Sequence, residues 1–144
     1  MSTVEAFLSA EQEAEVVKAI KIAEKQTSGE IRVHLENSEA EVALRTKEVF
    51  HLLKMDTTKA RNGVIIYVAV NQKQFYVYGD QGIHTKVGDS FWQSTRDIIL
   101  YSFKNGNFAQ GLSNGVLEVG KVLKEYFPWT EDDTNELSDE ISKG

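Results

Sequence analysis

Three segments of this 144-residue chain carry side chains whose types suit chemistry in a cleft, Glu30, Arg61-Asn62 and Asp80, with Asp56, His84 and Asp89 in neighbouring loops. Two or three carboxylates with a carbonyl and water form a hard-oxygen site of the kind that takes Ca²⁺ or Mg²⁺. An arginine beside such a site can also hold a phosphate. Sulfur chemistry is excluded, because the chain has no cysteine: there is no disulfide framework, thiolate metal site or cysteine nucleophile. The three histidines, His34, His51 and His84, are far apart and lack metal-ligand spacing, so a zinc enzyme is not expected. His34 and His51 read as surface or boundary residues, and only His84 falls near the acidic segments.

Two further motifs are weaker. Gly111-Leu-Ser-Asn-Gly115 matches G-x-S-x-G, but that motif works on a tight strand-to-helix turn. Here it falls inside a helical pattern, so Gly111 and Gly115, four apart on one face, are expected to permit close packing. No P-loop and no G-x-G-x-x-G after a strand occurs, so the glycines of Gly79-Asp-Gln-Gly82 are expected to serve turns.

The elements that must position these residues follow from periodicity. Ser9 and Gln12 have capping-box spacing ahead of a predicted helix over about 10–26, stopped by Thr27-Ser-Gly29. Residues 30–36 alternate strictly, with Ile31, Val33 and Leu35 on one face and Glu30, Arg32, His34 and Glu36 on the other, which predicts a half-exposed strand. A helix over 39–53 follows. Gly63 to Val70 is a continuous β-branched run, the pattern of a central strand, and Gln74–Tyr78 completes a hairpin with it. Asp89 or Ser90 is expected to cap a helix reaching Lys104, with Gly106 as its stop, and a last helix runs over about 108–126 until Pro128 ends it.

That order brings the chemistry together. A strand, a crossover helix and a strand in one sheet run parallel, and the hairpin makes the third strand antiparallel. The start of the first strand, the start of the second and the end of the third then share one rim, where Glu30, Arg61-Asn62 and Gly79-Asp80 meet. The alternative is that Glu30 is a solvent-facing strand residue and that Asn62-Gly63 and Asp80-Gln-Gly82 are turns.

Composition bounds the rest. Hydrophobic residues are 41% and charged residues 26%, as in an ordinary globular domain. Net charge is −6, which argues against a nucleic-acid backbone as the main partner. From Pro128 to Gly144 six acids face Lys143 alone, so almost all the excess lies in an expected acidic, mobile tail over 130–144, behind a single domain over 1–129. The longest apolar run, Val64 to Val70, falls far short of the ~20 residues that span a bilayer. The first residues lack the basic start and apolar stretch of a signal peptide, so a cytoplasmic location, no membrane insertion and a monomer are expected.

Five ordered segments resemble the TPM-domain family: Thr27-Ser-Gly-Glu-Ile-Arg-Val33, Arg61-Asn-Gly-Val-Ile-Ile-Tyr-Val-Ala69, Gly79-Asp-Gln-Gly-Ile-His84, Phe91-Trp92 and Phe103-Lys-Asn-Gly-Asn-Phe-Ala-Gln-Gly-Leu112. That family includes thylakoid-lumen proteins linked to photosystem II repair and many bacterial proteins. The resemblance implies an α/β/α sandwich, a small mixed β-sheet with helices on both faces, and a cleft at one sheet edge that binds divalent cations, chiefly calcium. Carried over by position, Glu30 and Asp80 are the first ligand candidates, then Asp89 and Asn62. Acid phosphatase activity is attributed to plant members, and many bacterial relatives carry a signal peptide and a membrane anchor. The expected function is thus a Ca²⁺- or Mg²⁺-binding domain with catalytic residues unknown. The alternatives are a metal-assisted phosphatase, with Arg61 or Arg32 steadying charge, and a protein-interaction module using the cleft or the Phe127-Pro-Trp129 edge.

Overall fold

A computed structural model describes residues 3–88, 92–129 and 140–144. Ser9 opens the first long helix through a reciprocal box, with Gln12 N–H donating to Ser9 Oγ at 3.1 Å and Ser9 N–H donating to Gln12 Oε1 at 2.9 Å. This satisfies two of the donors that a helix N-terminus leaves open. The helix, α2 (Ala10–Glu24), follows a five-residue α1 (Thr3–Phe7) that hydropathy did not signal. α1 is anchored by buried Val4 and by Phe7 against Phe103 and Phe108.

The strands β1 (Glu30–Glu36), β2 (Gly63–Ala69) and β3 (Gln74–Gly79) form the expected parallel pair plus hairpin, in the order β3-β2-β1-β4. β4 (Ser142–Lys143) pairs parallel with β1 through His34↔Ser142 and Leu35↔Lys143. The acidic tail therefore returns to the sheet at its last residues. Residues 130–139 of that tail lie outside the described residues.

Helices α2, α5 (Gln93–Lys104) and α6 (Phe108–Tyr126) cover one face of the sheet, and α3 (Val42–Leu52) with the 3₁₀ turn Met55–Thr57 covers the other. The result is an α/β/α sandwich around a mixed four-stranded sheet. Its larger core joins Val33, Ile66, Ile99, Val116 and Leu123, and its smaller core joins Phe50, Met55, Ile65 and Tyr67. β2 is buried at every residue, as its β-branched run predicts.

β1 departs from expectation. Its polar face was expected to meet solvent, yet Glu30, His34 and Glu36 are buried. The period-two pattern is real, but α3 packs on that side of the sheet and β4 flanks β1 as its neighbouring strand. For His34 and Glu36 burial is tolerated because partners on those elements satisfy the polar atoms. A second departure is α4 (Gln81–Val87), capped by Asp80, where a turn was expected. Asp89, Ser90 and Phe91 lie outside the described residues, and α5 begins at Gln93. Gly106, at φ 76°, ends α5 as predicted.

Candidate functional site

Backbone bonds fasten the three segments of the rim. Glu30 N–H donates to Asn62 O at 3.3 Å and Asp80 N–H donates to Gly63 O at 2.9 Å. Glu30, Asn62 and Asp80 are each only 2% exposed, so the strand order delivers all three to one buried edge. Asp80 does not stand alone there. Arg61 grips it as a fork, Nε to Oδ2 at 2.7 Å and a terminal nitrogen to Oδ1 at 2.9 Å, while Gln81 N–H donates to Oδ1 at 2.7 Å. Bidentate arginine–carboxylate pairs are among the stronger polar contacts, and this bond raises the Arg61 pKa further.

Local geometry is specialised to hold that pair. Arg61 lies at φ 51°, a left-handed conformation that costs a side-chain-bearing residue and tends to occur at functional positions. The first turn of α4 needs glycine at position 82: a Cβ there would sit 2.6 Å from Arg61 O and would also strike Ala60 O. Gly82 N–H bonds Arg61 O at 2.8 Å instead, which seats α4 on the Arg61 loop. Gly79 lets Trp92 pack against the strand end, where a Cβ would approach its ring to 2.8 Å.

Of the residues singled out from sequence, Glu30, Asn62, Arg61 and Asp80 are brought together. Asp56 pairs instead with His51, Nδ1 to Oδ2 at 2.8 Å, and that bond holds its carboxyl below the usual range. Asp89 lies outside the described residues. Sequence reasoning passed over Glu24, a buried carboxylate at the end of α2 that accepts from Ile31 N–H at 3.1 Å. Among the described residues no group of three acidic, histidine or cysteine side chains could hold a metal ion. Glu30, Asp80 and the Asn62 amide are the oxygen-bearing side chains at this end of the sheet, where Arg61 clasps Asp80 and the Asn62 amide nitrogen donates to Ser28 Oγ at 3.4 Å. An all-oxygen set of that kind would suit a cation that keeps several waters, as Mg²⁺ does, or one whose remaining ligands are carbonyls and water, as with Ca²⁺. It does not suit zinc.

A groove of about 700 Å³ opens beside the rim. Its floor is the run from Tyr76 to Asp80; Lys47 and His51 of α3 form one wall, and His84, Trp92 and Arg96 the other. These wall residues come from helices remote in sequence, and no local motif announced them. Among the described residues its one carboxylate is Asp80, already paired with Arg61.

A second buried polar group occupies the other end of β1. Glu36 accepts from Arg45 Nε at 2.6 Å, Tyr67 OH at 2.7 Å and His34 Nε2 at 3.0 Å. Burial opposes ionisation of Glu36, but the bonds from Arg45, Tyr67 and His34 outweigh it and bring the pKa to about 2. Burial and the Glu36 bond push Tyr67 up to about 12. Because an ionised carboxylate only accepts, His34 carries its proton on Nε2 and accepts at Nδ1 from Ser142 Oγ, 2.9 Å away. Burial lowers the His34 pKa despite Glu36. The expectation of a surface His34 is thereby corrected: it ties β4 to the sheet. The G-x-S-x-G match is packing, since Ser113 is buried in mid-helix and Gly111 and Gly115 face Ser102 and Ile99 of α5 without room for a Cβ.

A mixed sheet of order β3-β2-β1-β4 between two helical layers, with a cleft at the β3 edge, defines a three-layer α/β protein. The profile of the TPM domain family matches residues 2–122, and the chain belongs to that family. It is similar over 100% of both chains to the NMR structure of the BA42 protein from the psychrophilic bacterium Bizionia argentinensis, at 56% identity and TM-score 0.92. The N-terminal domain of a P. gingivalis protein shares the fold at 24% identity and TM-score 0.68, over 84% of this chain and 79% of that one. The N-terminal domain of the cg2496 protein from Corynebacterium glutamicum does so at 14% and 0.64, over 79% and 72%. Among curated proteins none matches. No helix among the described residues is long and apolar enough to cross a membrane.

Proposed function

We propose that this TPM domain binds a divalent cation, Ca²⁺ or Mg²⁺, at the rim made by Glu30, Asn62 and Asp80, with Asp89 as the next candidate ligand. The observation that carries the reading is the convergence of two buried carboxylates, each 2% exposed, from separate segments at one end of the sheet. Carboxylates are seldom buried unless a charge or metal compensates them. Arg61 is the present counter-charge of Asp80, so in this reading cation and guanidinium compete for the same oxygens. Arg61→Gln should therefore tighten cation binding, while Glu30→Gln and Asp80→Asn should weaken it. Unchanged affinity in both carboxylate variants would overturn the proposal.

A second reading, a metal-assisted phosphomonoesterase, is favoured by one observation: the groove beside the rim is lined by Lys47, Arg61 and Arg96. Those cations would bind and orient a phosphate, and a bound metal would supply Lewis acidity. The chain has no paired Asp-x-Asp among its candidate site residues. Hydrolysis that survives Asp80→Asn would assign the activity to another site or to a contaminant.

A further inference from the structure

β3 is an edge strand, and its backbone is open where the groove lies. The bond from Asp80 N–H to Gly63 O makes those two residues a hydrogen-bonded pair of the antiparallel ladder. Bonded and non-bonded pairs alternate, so Tyr78 and Tyr76 spend their backbone groups on Ile65 and Tyr67. Phe75, Val77 and Gly79 then aim theirs away from β2, toward the groove. Among the described residues no turn, loop or cap bond reaches those groups.

Natural edges are usually blunted by proline, inward charges, bulges or a covering element. β3, Gln-Phe-Tyr-Val-Tyr-Gly, has neither proline nor a charged residue, and its residues from Tyr76 onward form the groove floor. Charge says what fits. Lys47 stands on one side of the edge and Arg96 on the other; Arg61 at its end already balances Asp80, and His51 is bonded to Asp56. In a chain of net charge −6, this is a locally positive trough around a row of peptide donors and acceptors.

We propose that the open edge of β3 accepts an extended acidic segment of a partner protein as an added strand. Main-chain pairing to Val77 and Gly79 gives the register, and acidic side chains alternating to either face meet Lys47 on one side and Arg96 on the other. A small anion such as phosphate would engage the walls but leave most of the backbone row unused. A second copy of this chain would bring two positive troughs together, which like-charge repulsion opposes.

The test is a titration of the full-length chain in metal-free buffer with an end-blocked octapeptide of glutamate and threonine, following backbone amide shifts. Three comparison probes are the lysine-for-glutamate peptide, a fully N-methylated version of the acidic peptide, and inorganic phosphate. Saturable shifts at Phe75, Val77 and Gly79 are expected, with about tenfold weaker binding for the N-methylated peptide and for the Lys47→Gln/Arg96→Gln variant. Equal binding of the N-methylated or lysine peptide would overturn strand addition. So would phosphate alone saturating the same amides as tightly, since it would make the groove a small-anion site. Shifts at these amides that depend on protein concentration without peptide would assign the edge to self-association instead. No binding at roughly 5 mM peptide would also end the proposal. Because the buffer holds no metal, none of these outcomes bears on cation binding at the rim.

Discussion

Glu36→Gln is the substitution whose effect on stability can be worked through most fully. Glu36 is 3% exposed, and its carboxyl falls from an ordinary value of 4.5 to about 2 in the folded protein. A group with a depressed folded pKa contributes stability that is complete above its unfolded value and is lost as pH falls toward the folded one. At about 1.4 kcal/mol per pKa unit, the full contribution is about 3 kcal/mol. By pH 3 about 2 kcal/mol of it should be gone. At neutral pH the glutamine amide can accept from Tyr67 or Arg45, but it cannot carry the charge that binds Arg45. We therefore expect Glu36→Gln to cost about 2–4 kcal/mol at pH 7. The gap between variant and parent should narrow by about 2 kcal/mol on going to pH 3, because only the parent loses this ionisation. Urea denaturation of both proteins at several pH values between 7 and 3 measures this directly. A gap that stays constant across that range, or a cost below about 0.5 kcal/mol at pH 7, would refute the reasoning and show that Arg45 and Tyr67 do not stabilise the ionised carboxylate.

His34 contributes in the same direction over a higher window: its folded pKa is depressed by burial, so its share of stability should fall as pH drops below about 6.5. His34→Gln should flatten the stability profile between pH 7 and 5 and should weaken amide-exchange protection of Gly144, whose N–H bonds Leu35 O at 3.0 Å beside β4. An unchanged profile would mean that His34 titrates normally. Gly82→Ala should lower stability by about 2–4 kcal/mol, since its Cβ would meet backbone oxygens that cannot swing aside. A thermal midpoint equal to the parent's would show that the Arg61 loop is free to move.

Much of the fold was legible because it rests on local signals. The Ser9 box, the β-branched run of β2, the hairpin and the length of α6 are written in spacing, and the strand order placed Glu30, Asn62 and Asp80 on one rim. What escaped depends on distant partners. The alternation of β1 reads the same whether its polar face meets water or meets Arg45, Tyr67 and Ser142, so its burial was invisible in the sequence. β4 is two residues in an acidic stretch, with no hydropathy to mark it. α4 buries only Ile83, too little to give a helical period, and its cap, Asp80, had been read as part of a turn. At the site, the rim was anticipated, but the fork between Arg61 and Asp80 and the basic walls from Lys47 and Arg96 come from packing across elements.

The cation reading is tested most directly by adding Ca²⁺, then Mg²⁺, to metal-free protein and following backbone amide shifts in the parent and in Arg61→Gln. The account predicts saturable shifts centred on Glu30, Asn62 and Asp80, tighter in Arg61→Gln because the competing guanidinium is gone. Shifts confined to residues 130–140, or none at physiological metal concentrations, would contradict it and leave the Arg61–Asp80 pair as a structural clasp.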